Sequence, residues 1–172
     1  LRTPRQFASY VFTRGGIVFM QVLAALPLPV IRAMGVLLGW LLYVLAAPRR
    51  RVVNTNLRLC FPERPEPERR RLARKTFIYF AQAWLDRSWL WHGHPDKLRQ
   101  RLQLKGALAE LDGQRPVVLF APHFVGLDAG WAALTQQLPR AFTTIYTDQA
   151  NKLLDRWILR GRRRFANARL FG

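Results

Sequence analysis

The chain has 172 residues, a formal net charge of +18, half of its residues hydrophobic and six tryptophans, a composition too apolar and too aromatic for a disordered segment. So large a positive balance calls for a polyanion, either nucleic acid or an anionic membrane surface, and the apolar content favours the membrane. A lone cysteine, Cys60, excludes an intramolecular disulfide, and no Cys or His spacing suits a metal, so neither metal nor cofactor is expected and a reducing compartment is compatible.

In chain order, Gly15 to Ile31 is uncharged, Arg32 intervenes, and Ala33 to Pro48 is again uncharged. Each stretch falls slightly short of the roughly 20 apolar residues of a membrane crossing, and Pro27 and Pro29 divide them further. Two shapes are compatible: a tilted single span with Arg32 snorkelling, or a bent helical hairpin lying partly in one leaflet. A buried pair of core helices is the plainer alternative. Arg2, Arg5 and Arg14 precede the segment and Arg49, Arg50 and Arg51 follow it, so charge bias does not orient it. A signal peptide is not expected, because the hydrophobic stretch is long and Ala46-Ala47-Pro48 leads into arginines. Residues 1–51 thus read as a membrane anchor and 52–172 as an α/β body cut short at its C-terminus.

Within that body, the proline- and glutamate-rich Glu63 to Glu68 reads as a turn-forming link. A helix follows, with Glu66 to Glu68 at its start and Leu72, Phe77, Phe80, Ala81, Trp84 and Leu85 as its apolar stripe. Trp89-Leu90-Trp91 beside His92, Gly93 and His94 suggests surface or interfacial aromatics; the histidines lack Cys or acidic partners at zinc spacing. Leu102 to Leu104, Val117 to Phe120 and Thr143 to Tyr146 read as strands, with a short helix over Ala107 to Asp112. Alternating strands and helices imply a sheet whose ligands bind beyond the carboxyl ends of its strands.

His123-Phe-Val-Gly-Leu-Asp128 occupies such an end. Val117 to Ala121 suits a strand buried on both faces, and Pro122 stops it. From Gly126 the residues Leu127, Ala129, Trp131, Ala132, Leu134 and Leu138 recur with approximately helical spacing. Asp128 is therefore expected in a first turn facing the histidine, where free N–H groups favour negative charge. A carboxylate-oriented imidazole suits a general base that deprotonates a hydroxyl while its oxygen attacks a carbonyl, as in acyl transfer or hydrolysis. Alternatively, His123 caps a helix and Asp128 is an ordinary first-turn acid. Further on, Leu153, Leu154, Trp157 and Ile158 share one helix face, while Arg156, Arg160, Arg162, Arg163 and Arg164 crowd its end. A solvated helix end accounts for some of this charge; forked guanidinium donors also match a phosphorylated or carboxylated ligand.

Four blocks together resemble the Kdo-dependent late acyltransferases of lipid A biosynthesis in Gram-negative bacteria, within the glycerolipid acyltransferase superfamily. They are the hydrophobic segment ending in Arg49-Arg-Arg51, Asn56-Leu-Arg-Leu-Cys-Phe-Pro-Glu63, the His-x4-Asp block, and Tyr146, Asn151, Leu154-Asp155 and Gly161-Arg162-x-Arg164. His-x4-acid alone marks the superfamily; the Asn-Leu-x-x-Cys-Phe-Pro-Glu and Gly-Arg-x-Arg patterns are more specific. The resemblance implies a glycerolipid-acyltransferase-like sheet flanked by helices. It also implies His123 as general base, Asp128 as its orienting acid where many members carry Glu, and Arg162 as a third catalytic group. Arg164, Asn151 and Tyr146 are implied substrate-binding residues. Acyl-acyl carrier protein would be the donor, a lipid A precursor the acceptor, and the cytoplasmic face of the bacterial inner membrane the location. Nucleic acid is not an expected partner. Competing readings are another lipid acceptor (a lysophospholipid, glycolipid or ornithine lipid), acyl-CoA as donor, and a noncatalytic basic protein on the membrane surface.

Overall fold

The computed structural model describes residues 4–111, 113, 115–165 and 167–171. The elements are α1 (Pro4–Leu23), α2 (Leu28–Leu45), α3 (Ala47–Cys60), α4 (Glu66–His92), α5 (Pro95–Arg101), a single 3-10 turn (Leu108–Leu111), α6 (Leu127–Gln137), β1 (Phe142–Ile145), α7 (Lys152–Arg162) and β2 (Ala168–Phe171). The chain divides into two packed units, Leu1–Ala25 with Arg87–Gly172, and Leu26–Asp86. Neither boundary coincides with residue 51.

In the Leu26–Asp86 unit, the prolines start helices instead of breaking them. Pro29 and Pro48 occupy the first turns of α2 and α3, where the missing N–H would have had no intrahelical partner. Arg50 closes the last turn of α2 by donating to the carbonyls of Tyr43 and Val44. Glu66 and Glu68 sit in the first turn of α4, where negative charge complements the helix dipole. The expected stripe holds in part, since Phe77, Ala81 and Leu85 are buried. Phe80 and Trp84 remain exposed.

In the other unit, α4 continues to His92, so Trp89, Leu90 and Trp91 are buried helical residues and not the surface aromatics expected. Burying such side chains contributes about 1.5–3 kcal/mol each, which favours continuing the helix over exposing them. Here α6 is tied to its neighbours through Gln136, which donates to the Pro95 carbonyl, and Gln137, which donates to that of Leu102. The sheet is a parallel pair, β1 and β2, with Phe142 opposite Ala168 and Ile145 opposite Phe171. The crossover between these parallel strands is α7. Phe142, Trp157 and Leu170 are buried at its centre.

The expected third strand is Phe142–Ile145, one residue earlier than its pattern suggested; β2 was not anticipated. Leu102 to Leu104 and Val117 to Ala121 form no strand, and Val118 and Phe120 are 96% and 93% exposed. A strand buried on both faces needs ladder partners beside it and helices above and below, and no described residue pairs with this run. The helix expected over Ala107 to Asp112 reduces to the 3-10 turn. Asp112 and Arg2 lie outside the described residues. Among the described residues the molecule is mostly helical with one small parallel sheet.

Candidate active site

Gly126 sets the local geometry of the His-x4-Asp block. Its φ of +94° is left-handed, a conformation that L side chains rarely adopt, and from it α6 begins at Leu127. Asp128 therefore lies in the first turn of α6, as its spacing predicts. His123 stands in the exposed, irregular segment just before, among the exposed side chains of Phe120, Phe124 and Val125.

Two arginines hold the Asp128 carboxylate, whose side chain is 11% exposed. Arg162, at the end of α7, donates from Nε to Oδ1 at 2.9 Å, and Arg87, on α4, meets Oδ2 from Nη2 at 2.6 Å. Among the described residues no hydrogen bond joins His123 to Asp128. A carboxylate has about four lone-pair sites, so this clamp leaves acceptor capacity for a further donor. The cluster places two guanidiniums against one carboxylate, and guanidinium N–H groups suit a phosphate or a developing oxyanion. Arg87 also lies over the Trp91 ring, 5.6 Å from its centroid.

Arg162 is held by more than its charge. Its carbonyl accepts from the Trp131 indole N–H at 2.9 Å, tying α7 to α6. Gly161 lets α7 approach α4, because a Cβ there would overlap the Trp91 indole.

Arg164 is spent elsewhere: it donates to the carbonyls of Leu90 and Gly93 and so closes the end of α4. Burial holds its pKa below the usual arginine value. Beside it, His92 accepts at Nε2 from the Trp157 indole N–H at 3.0 Å, so that nitrogen carries no proton. Burial, and then the charge of Arg164, push the His92 pKa below its ordinary value. His94 is exposed and caps α5, its Nδ1 accepting from the Asp96 amide. Neither histidine belongs to a cluster that could hold a metal among the described residues.

Asn151 and Tyr146 lie at the opposite end of α7 from Arg162. Asn151 is the N-cap, its Oδ1 accepting from the amides of Leu153 and Leu154 at 3.0 and 3.2 Å. Its Nδ2 donates to Thr13 on α1 at 2.8 Å, so α1 is docked through the cap itself. Tyr146, Asp148 and Lys152 form a chain at the same end. Local desolvation first, and then Asp148, raise the Tyr146 pKa, while Lys152 at 2.9 Å lowers that of Asp148.

The structure thus brings Asp128 and Arg162 together across 34 positions and adds Arg87, which the sequence reading did not single out. Its signal was there: Asp86 and Arg87 are the only charged residues between Ala81 and Trp91.

The family model for bacterial lipid A biosynthesis acyltransferases matches residues 2–170. The chain is 29% identical over 152 residues to the lipid A biosynthesis lauroyltransferase of Escherichia coli (strain K12), covering 87% of this chain and 49% of that protein. It is 27% identical over 146 residues to a lipid A biosynthesis acyltransferase of Haemophilus influenzae, covering 83% and 46%. With the palmitoleoyltransferase of lipid A biosynthesis in Escherichia coli (strain K12) it shares 25% over 160 residues, covering 90% and 51%. The chain therefore spans about half the length of these curated relatives. No solved structure matches it.

Proposed function

The chain belongs to the bacterial lipid A biosynthesis acyltransferase family, and from that premise we propose that it contributes the His-x4-Asp half of an acyltransferase that moves a fatty acyl chain from acyl carrier protein to a hydroxyl of a lipid A precursor. The observation that carries this reading is the clamp on Asp128, in which the His-x4-Asp and Gly-Arg-x-Arg blocks meet at 2.9 Å. The Asp128 carboxylate is fixed from α4 and α7 together.

His123 takes the proton of the acceptor hydroxyl as its oxygen bonds to the thioester carbonyl carbon. Asp128, with acceptor capacity left, orients the imidazole and steadies the imidazolium when substrate draws the two together. Arg162 offers positive charge to the tetrahedral oxyanion or to a substrate phosphate. The carbon–sulfur bond then breaks, and the phosphopantetheine thiolate leaves with the proton from His123. The exposed Phe120, Phe124 and Val125 beside His123 offer apolar surface to the acyl chain. Arg164, Asn151 and Tyr146 serve substrate binding, Arg164 by fixing the end of α4 and Asn151 by capping the start of α7. Residues 1–51 anchor the body on the cytoplasmic face of the inner membrane, and its basic surface meets anionic lipid and the acidic carrier protein.

The test is a matrix of donors and acceptors with the intact protein: acyl carrier protein thioester or acyl-CoA, against lipid A precursor or lysophospholipid. Transfer from the carrier protein to the lipid A precursor is expected. Transfer to lysophospholipid alone would replace the acceptor, and transfer from acyl-CoA alone would replace the donor.

A further inference from the structure

We propose that α2 lies in the plane of an anionic phospholipid leaflet, with α4 covering its water-facing side, and does not cross the bilayer. This rests on the membrane association proposed above and specifies its geometry. By length and composition α2 is able to span: its 18 residues carry a single charge, and most of the helix is exposed. Its contacts within the Leu26–Asp86 unit argue otherwise.

Ile31, Gly35 and Gly39 form a buried seam with a four-residue period. A Cβ on Gly35 would stand 2.9 Å from the Gln82 Cα, and one on Gly39 would overlap the Ile78 backbone, so the α2 and α4 backbones touch. Polar contacts continue the seam. Arg32 pairs with Asp86 at 2.7 Å, and Gln82 donates to the Arg32 carbonyl at 3.1 Å. At the other end Tyr43 meets Phe77 edge-on at 5.6 Å, and Arg74 lies over the Trp40 ring. From Arg32 to Tyr43, then, α2 is followed antiparallel by α4 from Asp86 to Arg74.

The midpoint of α2 falls between Gly35 and Gly39, where the α4 backbone touches it. Were α2 to span, Gln82 would sit near the bilayer centre, with Arg74, Lys75 and Asp86 within about two turns. Charged side chains at that depth are strongly disfavoured. An in-plane α2 removes the conflict. Val30, Leu37, Leu41 and Val44, all exposed, recur at helical spacing on the side away from the seam and would enter the acyl region. Trp40 and Tyr43 flank this face at the headgroup level that suits amphipathic rings. The partner chemistry follows from charge: Leu26–Asp86 holds eleven Lys and Arg against four acids, with Arg49 and Arg51 exposed just beyond α2, so an anionic headgroup layer complements it.

The test uses the intact protein carrying Cys60→Ser, with either Leu26→Cys or Ala46→Cys, in sealed inside-out inner-membrane vesicles treated with a membrane-impermeant maleimide. An in-plane helix predicts that both cysteines label from the same side without detergent. Labelling from opposite sides would overturn the proposal in favour of a span. Nitroxides at Leu37 and Lys75, in vesicles of phosphatidylethanolamine and phosphatidylglycerol, give an independent readout. Leu37 should be open to oxygen and shielded from an aqueous nickel chelate, and Lys75 the reverse. If Leu37 is open to the chelate, membrane association itself fails; if it is shielded from both probes, protein covers this face. Either result overturns the proposal, while acyl transfer by the same protein reports separately on the catalytic reading.

Discussion

Arg87 and Arg162 grip opposite oxygens of Asp128, so the position of this carboxylate depends on α4 as much as on α7. A charge-assisted hydrogen bond in so sheltered a place contributes about 1.5–3 kcal/mol, which corresponds to about 10- to 100-fold in rate where the bond positions a reacting group. Arg87→Ala is therefore expected to lower kcat/KM for acyl transfer by about that factor, with Arg87→Lys recovering part of it; thermal unfolding of both variants verifies that they fold. A wild-type rate in a folded Arg87→Ala protein would remove Asp128 positioning from the account. The spacing of His123, Gly126 and Asp128 made the first-turn location of Asp128 legible in advance. Arg87 was not, because it lies within a helical stretch rich in Ala, Leu and Trp, where the period speaks only of packing.

At the scale of elements, α7 meets α4 through a glycine and a histidine, and each contact makes a prediction. Gly161→Ala forces a methyl into Trp91, and overpacking of this kind costs about 1–3 kcal/mol; a lower melting temperature followed by circular dichroism checks it. His92 titrates below its ordinary value of 6.5, so as the pH falls below 6.5 the unfolded chain binds a proton that the folded chain resists. Stability is therefore expected to fall as the pH drops through that window and to be recovered on returning above it, with His92→Gln flattening the slope of melting temperature against pH. A slope unchanged by His92→Gln would contradict this. The helical part of α4 and the strand near Thr143 were legible because their patterns are local. Val117 to Ala121 was misread, since a run that suits a doubly buried strand specifies nothing about the neighbours it needs. β2 escaped notice because Ala168 to Phe171 has neither length nor alternation, and its strand character comes from pairing with β1.

For the molecule as a whole, a net charge of +18 and an exposed apolar face on α2 give the proposed membrane binding two components that respond differently to salt. Binding to phosphatidylglycerol vesicles should weaken as the Debye length falls from about 10 Å at 0.1 M to about 3 Å at 1 M, yet persist through the apolar component; cosedimentation across that range measures both, and binding indifferent to salt would refute the electrostatic part. Composition alone raises the expectation of an anionic partner, whereas the proposed lie of α2 rests on the Gly35 and Gly39 contacts, which hydropathy does not encode. The central claim, that His123 is the base of an acyl transfer, is tested most directly by assaying the intact protein in detergent micelles, with acyl carrier protein thioester as donor and a Kdo-bearing lipid A precursor as acceptor, against its His123→Ala variant. Loss of a general base predicts a fall of about 100-fold or more; equal rates for the two proteins would contradict the mechanism.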